Sequence, residues 1–305
     1  MDLKQIESFV RVAELGSFTR AAGALGVPQP LLSRHVRQLE VELRQTFLLR
    51  NGRGVTLTDA GRVLLEHGRG ILHQVALARE ELGAVRGALA GRVSIGLPPS
   101  LSKLITVPLT REFRRRLPDA QLTLTEGFSV VMYEGLRSGR LDMAVLYNTP
   151  PSPDVETRVL HREALVLIAS TASLQRHKAV LKARMPLSAL GNLPLIVPSR
   201  PNAFRVLIES ELSRINCKTQ IVLEVDGLNA ILDLVREGLG FAVLPPYTLS
   251  NFSNPHSFST HKLHSPQLMS ELMLVTSARR PATETHKEVQ TLVGDVVKKA
   301  IEEYL

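Results

Sequence analysis

The spacing of apolar residues changes character once along this 305-residue chain, close to Gly91. Before it, apart from one short stretch, apolar residues recur at intervals of three and four, as one face of a helix requires; after it, short strand-like runs alternate with helical stretches. A single core does not accommodate both textures, and the length itself calls for two domains or three. The expected class is therefore multidomain: an N-terminal all-α module with a linker helix, followed by an α/β part.

The N-terminal segment, 1–58, carries three helical stripes. Leu3, Ile6, Phe9, Val10 and Ala13 form the first, which Gly16 ends. Ser17 is placed to cap a second helix with Phe18, Ala21, Ala22 and Leu25, closed by Gly26. In the third, Leu32, Val36, Leu39 and Leu43 share one face, which turns Gln29, Pro30, Ser33, Arg34 and Arg37 to the other. Small alanines, a glycine turn and a following helix led by hydrogen-bonding side chains describe a helix-turn-helix, whose second helix fits a DNA major groove. TFLLRNGRGVTLT then reads as two short strands around Asn51-Gly52, a wing that sets Arg50 and Arg53 over phosphates. The net charge of +8 favours a polyanionic partner, but 1–60 holds eight Lys and Arg against six acids, so placement rather than quantity carries the argument. Periodicity alone leaves two readings open, a DNA-reading face or the solvated face of a helical domain.

From Asp59 to Leu89 there is no proline, and two heptad series run in parallel: Leu64, Ile71, Ala78, Val85 and Gly68, Val75, Leu82, Leu89. A continuous helix of that length would extend about 46 Å. Its five internal glycines each cost about 1 kcal/mol relative to alanine, so the helix needs a partner over its stripe. Dimerisation through Leu64, Ile71, Val75 and Leu82 is the expectation; the other reading docks the helix on the chain's own C-terminal domain.

Beyond Gly91, runs at 92–97, 121–127, 141–147, 164–169, 193–197, 220–225, 240–245 and 271–277 read as strands between helices, predicting α/β architecture with mainly parallel sheets. The Pro-rich 150–153 precedes a further α/β half, so two lobes are expected, lobe I at about 90–162 and 268–305 and lobe II at about 163–267. Such lobes bind small molecules at the carboxyl ends of their strands. Polar residues that follow strands and precede helices are the candidates there: Ser100 and Ser102, Ser129, and Ser199, Arg200 and Asn202, with Asp226 and Asn229 behind them. Hydroxyls, a cation and helix N-terminal amides suit an anionic ligand.

No catalytic, phosphate-loop or dinucleotide motif is legible, and no cofactor or metal is expected. The nine histidines are not spaced as ligands; His256, His261 and His264 read as surface residues of a Ser-rich loop, and Cys217 as an inert thiol. One cysteine excludes an internal disulfide, and neither an export signal nor a membrane span is apparent, which suggests a cytoplasmic protein.

SFTRAAGALGVPQPLLSRHVRQLEVEL followed by RNGRGVTLTDAGRVLLEHGRGIL resembles the N-terminal module of LysR-type transcriptional regulators, through Ser17, Ala21, Ala22, Leu25, Gln29, Pro30, Ser33, Leu39, Glu40, Leu43, Arg50, Gly54, Leu57, Thr58 and Gly61. GRVSIGLPPS, LDMAVLY and EGLGFAVLP look like the family's effector-binding domain, and the likeness is greatest to the nitrogen assimilation control subgroup. The resemblance implies a winged helix-turn-helix at 1–58, a dimerising linker helix at 59–89, and at 90–305 two lobes like those of periplasmic binding proteins. It implies homotetramers that bend promoter DNA, with RNA polymerase as a further partner. Gln29, Pro30, Ser33 and Arg34 would meet the major groove, Arg50 and Arg53 the wing contacts, and Ser100, Ser102, Ser129 and Arg200 to Asn202 the effector. Three departures stand out: Pro28 where a polar cap is usual, Arg44 where glycine is common, and Leu48-Leu49-Arg50 where Phe-Glu-Arg is common. The rival from another class is a cytoplasmic two-lobed enzyme or solute-binding protein with an accessory helical module.

Overall fold

The computed structural model describes residues 1–51, 54–84, 91–249, 257–278 and 282–304. The chain divides into two compact units, one holding Met1–Ala88 with Arg137–Arg140, the other Leu89–Leu136 with Leu141–Leu305.

The first unit opens with α1 (Leu3–Leu15), α2 (Phe18–Leu25) and α3 (Gln29–Glu42). Asp2 caps α1 reciprocally with Gln5, the Asp2 carboxylate accepting from the Gln5 amide at 2.8 Å and the Gln5 side chain from the Asp2 amide at 3.0 Å. Gly16 and Gly26 end α1 and α2 in the left-handed conformation, and Ser17 caps α2, all as the sequence predicts. Pro28 stands at the N-cap of α3 with no side-chain hydrogen bond, so this helix starts without its usual cap but intact. Leu32, Val36 and Leu39 are buried against Ile6, Phe9 and Phe18, whereas Leu43, expected on that face, is 39% exposed because α3 has already ended there. Arg44 follows with φ +52, and the Glu40 carboxylate ties the turn by accepting from the amides of Phe47 at 2.9 Å and Leu48 at 3.3 Å. Strands β1 (Leu48–Asn51) and β2 (Gly54–Leu57) pair antiparallel, Arg50 opposite Val55.

Helix α4 (Asp59–Ala84) accounts for most of the proline-free stretch. Thr58 starts it, its hydroxyl accepting from the Gly61 amide at 2.9 Å while donating to the Thr46 carbonyl at 2.6 Å. Leu64, Ile71 and Leu72 pack on the core of the three-helix module. Two of the glycines are explained by that packing: a Cβ on Gly61 would lie 2.1 Å from the Phe47 carbonyl oxygen, and one on Gly68 would lie 2.9 Å from a Val10 methyl. The first half of the heptad seam thus covers the chain's own α1, which neither sequence reading anticipated. Val75 is half-buried and Ala78 exposed, while the side chain of Leu82 and residues 85–89 fall outside the described part.

The second unit holds three sheets in two lobes. In the first lobe, β3 (Gly91–Leu97), β4 (Ala120–Glu126), β5 (Met143–Tyr147), β6 (Val155–Ala164) and β13 (Met269–Ser277) form one sheet in the order β4-β3-β5-β13-β6. Helices α5 (Pro99–Arg116), α6 (Ser129–Ser138) and α10 (Glu284–Tyr304) accompany it. In the second lobe, β7 (Val166–Ser170), β8 (Arg184–Pro186), β11 (Ala242–Leu244) and β12 (Phe258–His264) form the order β11-β7-β12-β8, and β9 (Pro194–Val197) pairs with β10 (Gln220–Glu224). A bridge between Leu195 and Phe241 joins the two. Helices α7 (Thr171–Arg176), α8 (Ala203–Arg214) and α9 (Leu228–Arg236) belong here.

Two expectations are corrected. The sheets are mixed rather than mainly parallel, because β13 runs antiparallel to both β5 and β6, and β7 antiparallel to both β11 and β12. After 150–153 the chain forms β6, an edge of the first sheet, and changes lobe only afterwards. His261 and His264 lie in β12, not in a loop, and His261 is buried, its ring nitrogens 2.8 Å from the Lys182 carbonyl and 2.9 Å from the Ser259 hydroxyl. His256 lies outside the described residues.

Candidate functional site

In the first unit, the face of α3 opposite its buried stripe presents exposed Pro30, Arg34 and Arg37 with half-buried Gln29 and Ser33. Neither Arg34 nor Arg37 makes an ion pair among the described residues. On the inner side, His35 Nδ1 lies 2.8 Å from the Ser8 hydroxyl, and Gln38 accepts from Gln5 Nε2 at 3.2 Å, so contacts to α1 fix the rotation of α3 and hence which residues face outward. Two guanidinium groups a helical turn apart, free of carboxylate partners and preceded by amide and hydroxyl side chains, suit a groove lined by phosphates and base edges. The backbone of Arg50 is held in β1, but its side chain and all of Arg53 lie outside the described part.

In the second unit, the N-termini of four helices converge on one small cavity. Ser100 comes from α5, Ser129 from α6, Asn202 from the cap of α8 and Leu228 from α9, with Tyr147 at the end of β5 and Phe204 filling the middle. The Tyr147 and Phe204 rings approach to 4.4 Å between centroids, and the space left is about 30 Å³, room for one or two water molecules. Ser129 Oγ accepts from the Tyr147 amide at 3.3 Å, and Asn202 Oδ1 accepts from the Phe204 amide at 2.9 Å. Ser100, Ser129 and Asn202 are thus brought together as the sequence suggested. The others are not. Ser102 Oγ is bonded along its helix to Thr106 Oγ1 at 3.3 Å, Arg200 is mostly exposed and paired with Glu209, and Ser199 donates its amide to Asp226 at 2.9 Å. Asn229 accepts from Lys103 Nζ at 3.4 Å, a contact that joins the two lobes.

Sequence reasoning missed a chain of hydroxyls that leads from this cavity into the interior. Ser100 Oγ lies 3.0 Å from Tyr147 Oη, Tyr147 Oη lies 2.5 Å from Tyr247 Oη, and Tyr247 Oη donates to Glu163 Oε1 at 3.0 Å. Burial raises the Tyr147 and Tyr247 phenols well above their ordinary range, and burial pushes the Glu163 carboxyl up to about 7 against the opposing pull of the Tyr247 hydrogen bond. A glutamate inside the otherwise mixed run VETRVLHREALV was the one signal in the sequence. Arg205, also missed, is a buried cation whose donors are already engaged: it pairs with Glu209 at 2.8 Å and Glu224 at 2.9 Å, and donates to the Pro198 carbonyl at 3.1 Å. No group of His, Cys, Asp and Glu suited to a metal occurs among the described residues, and no described helix is long and apolar enough to cross a membrane.

Comparison with known proteins agrees with both halves. Residues 3–62 match the bacterial regulatory helix-turn-helix protein family, lysR, and residues 86–297 match the LysR substrate binding domain. The nitrogen assimilation regulatory protein nac of Escherichia coli (strain K12) is 30% identical over 304 residues, 99% of this chain and 97% of that protein. The HTH-type transcriptional regulator BbuR of Bordetella bronchiseptica is 32% identical over 244 residues, 80% of this chain and 74% of that protein. Among solved structures, a full-length OxyR variant from Pseudomonas aeruginosa superposes with a TM-score of 0.71 at 22% identity, covering 98% of this chain and 95% of that one. Full-length CbnR in complex with its target DNA gives 0.68 at 21% identity, covering 98% and 100%. The likeness to these structures shows the fold; the rival reading as an enzyme or solute-binding protein falls with the family matches, whose members are regulators. The chain belongs to the LysR family and is a transcriptional regulator with an N-terminal helix-turn-helix DNA-binding domain and a C-terminal effector-binding domain.

Proposed function

We propose that this regulator reads promoter DNA through Gln29, Pro30, Ser33, Arg34 and Arg37 of α3, holds the flanking phosphates with Arg50 and Arg53 of the wing, and answers to a small anionic effector in the cleft. The observation that supports the first part is the outward face of α3, where Arg34 and Arg37 stand exposed and unpaired among the described residues while the opposite face is pinned to α1. Paired half-sites require paired recognition helices, so the chain acts as a dimer or tetramer, with Val75 and Leu82 of the linker helix as the assembly contacts and Leu64 and Ile71 shared with the module's own core. The divisions 1–58, 59–89 and 90–305 follow from that assignment of roles. A cytoplasmic location suits a promoter-binding protein, and RNA polymerase is the natural partner of one that activates. The likeness to nitrogen assimilation regulators supports starting the search for targets among nitrogen-metabolism promoters.

The anionic character of the effector is supported by the chemistry around the cavity: four helix N-termini and the hydroxyls of Ser100 and Ser129. The space left is small, so a ligand of carboxylate size is expected to enter with some rearrangement of the lining residues. Gel shifts of genomic fragments by the full chain, with and without a panel of small carboxylates, test both parts. Sequence-selective shifts that weaken with salt, and whose pattern changes with one of the carboxylates, are expected.

A further inference from the structure

Glu163 is the odd member of its surroundings. Its carboxyl is buried, Oε1 accepts from Tyr247, and Oε2 is buried with no hydrogen-bond partner. A carboxylate oxygen without a donor in an apolar environment favours the neutral acid over the charged one. Facing it are the phenols of Tyr247 and Tyr147, with Ser270 of β13 opposite it in register and Tyr304 of α10 packed edge-on against Tyr247 at 6.3 Å. On β6 itself, Arg162 is paired with Glu271 at 2.8 Å, and His161 interacts with Glu302. No cation is paired with Glu163 among the described residues.

We propose that Ser100, Tyr147, Tyr247 and Glu163 form a proton-linked hydroxyl relay, in which the protonation state of Glu163 sets whether Ser100 offers the effector cavity a hydrogen-bond donor or an acceptor. With Glu163 ionised, Tyr247 donates to it, Tyr147 donates to Tyr247 and Ser100 donates to Tyr147. The Ser100 proton is then engaged inward and only its lone pairs face the cavity. When Glu163 Oε1 takes one proton from solvent, it becomes the donor; each hydroxyl rotates, and Ser100 turns its proton outward. One proton enters and no other bond is made or broken. The carboxyl titrates near 7, inside the range where a cell's pH varies. An anion at Ser100 then binds together with a proton, so its affinity rises as pH falls. That last step rests on the reading of the cleft given above; the titration of the relay does not.

The chain has no tryptophan and four tyrosines, two of them in the relay, so its tyrosine emission reports on these hydroxyls directly. A phenol that donates to a carboxylate is quenched, and neutralising the carboxylate releases it. The full-length protein, with no anion added beyond buffer, is titrated from about pH 5.5 to about pH 8.5 and compared with Glu163→Gln, which keeps the acceptor for Tyr247 but cannot ionise. The relay predicts one step in emission with a midpoint near 7, absent in the variant. A flat wild-type titration, or the same step in Glu163→Gln, would overturn it. Should that variant fail to fold by circular dichroism, Tyr247→Phe serves instead, because it cuts the chain while leaving the carboxyl, and a step that survives it overturns the proposal equally. A step with the predicted behaviour but no carboxylate effect in the gel shifts would sink the reading of the cleft and leave the relay standing.

Discussion

Arg44 occupies a backbone conformation, φ +52, that costs a residue with a side chain roughly 1 kcal/mol and costs glycine nothing. The turn it makes joins the end of α3 to β1. Arg44→Gly is therefore expected to stabilise the N-terminal unit by up to about 1 kcal/mol, measurable as a higher midpoint in urea unfolding. Glu163 gives a second expectation at this scale, and its sign follows from burial. Its folded value near 7 lies above the ordinary 4.5, so the stability it contributes is complete below the ordinary value and is lost as pH rises through about 7. The loss approaches about 3 kcal/mol above neutrality. Glu163→Gln should match the wild type at acid pH and exceed it at alkaline pH in denaturant unfolding; parallel curves at both would show that the carboxyl is not buried in solution.

At the scale of elements, the helix caps and the buried stripes of α1 to α3 were legible because each depends on residues three or four apart. Gly16, Ser17 and Gly26 act where their local chemistry says they should. Strands β6 and β12 were not legible: VETRVLHREA and FSTHKLH are rich in charged and polar residues, since one is a sheet edge and the other is buried at only two positions. The heptad of α4 was legible as a stripe, but a stripe does not say what covers it. Gly61 and Gly68 show that α1 and the residue before β1 cover its first half, so the glycines permit close approach rather than weaken a free helix. Gly61→Ala should destabilise the N-terminal unit by about 1–3 kcal/mol in thermal unfolding, although alanine is the better helix former. Ile71→Asp should unfold the module, whereas Leu82→Asp should leave it folded and lower the oligomeric state in sedimentation. The reverse pattern would return the whole seam to assembly. In the wing, Arg53→Ala should reduce the salt dependence of DNA binding by about one unit per phosphate contact, with equal loss on all sequences.

For the molecule as a whole, the domain order was legible from the single change of periodicity near Gly91, whereas the hydroxyl chain behind the cavity was not. Residues 100, 147, 163 and 247 meet only through the crossings between the lobes, and no spacing in a linear sequence encodes that meeting. The same reasoning explains why Ser102 and Arg200 were drawn in with their neighbours: adjacency in sequence put them near the cleft, but helix geometry and an ion pair with Glu209 turned them elsewhere. On the proposed reading, the molecule distinguishes one promoter from the rest of the genome through α3. The most direct measurement is a competition titration of the full chain and of Gln29→Ala between a selected promoter fragment and random DNA of equal length, at several salt concentrations. A lost base contact should cost about 1–3 kcal/mol on the promoter, with little change on random DNA and the same salt slope for both proteins. Equal losses on the two DNAs, or no preference for any fragment by the unaltered chain, would contradict sequence reading by this face.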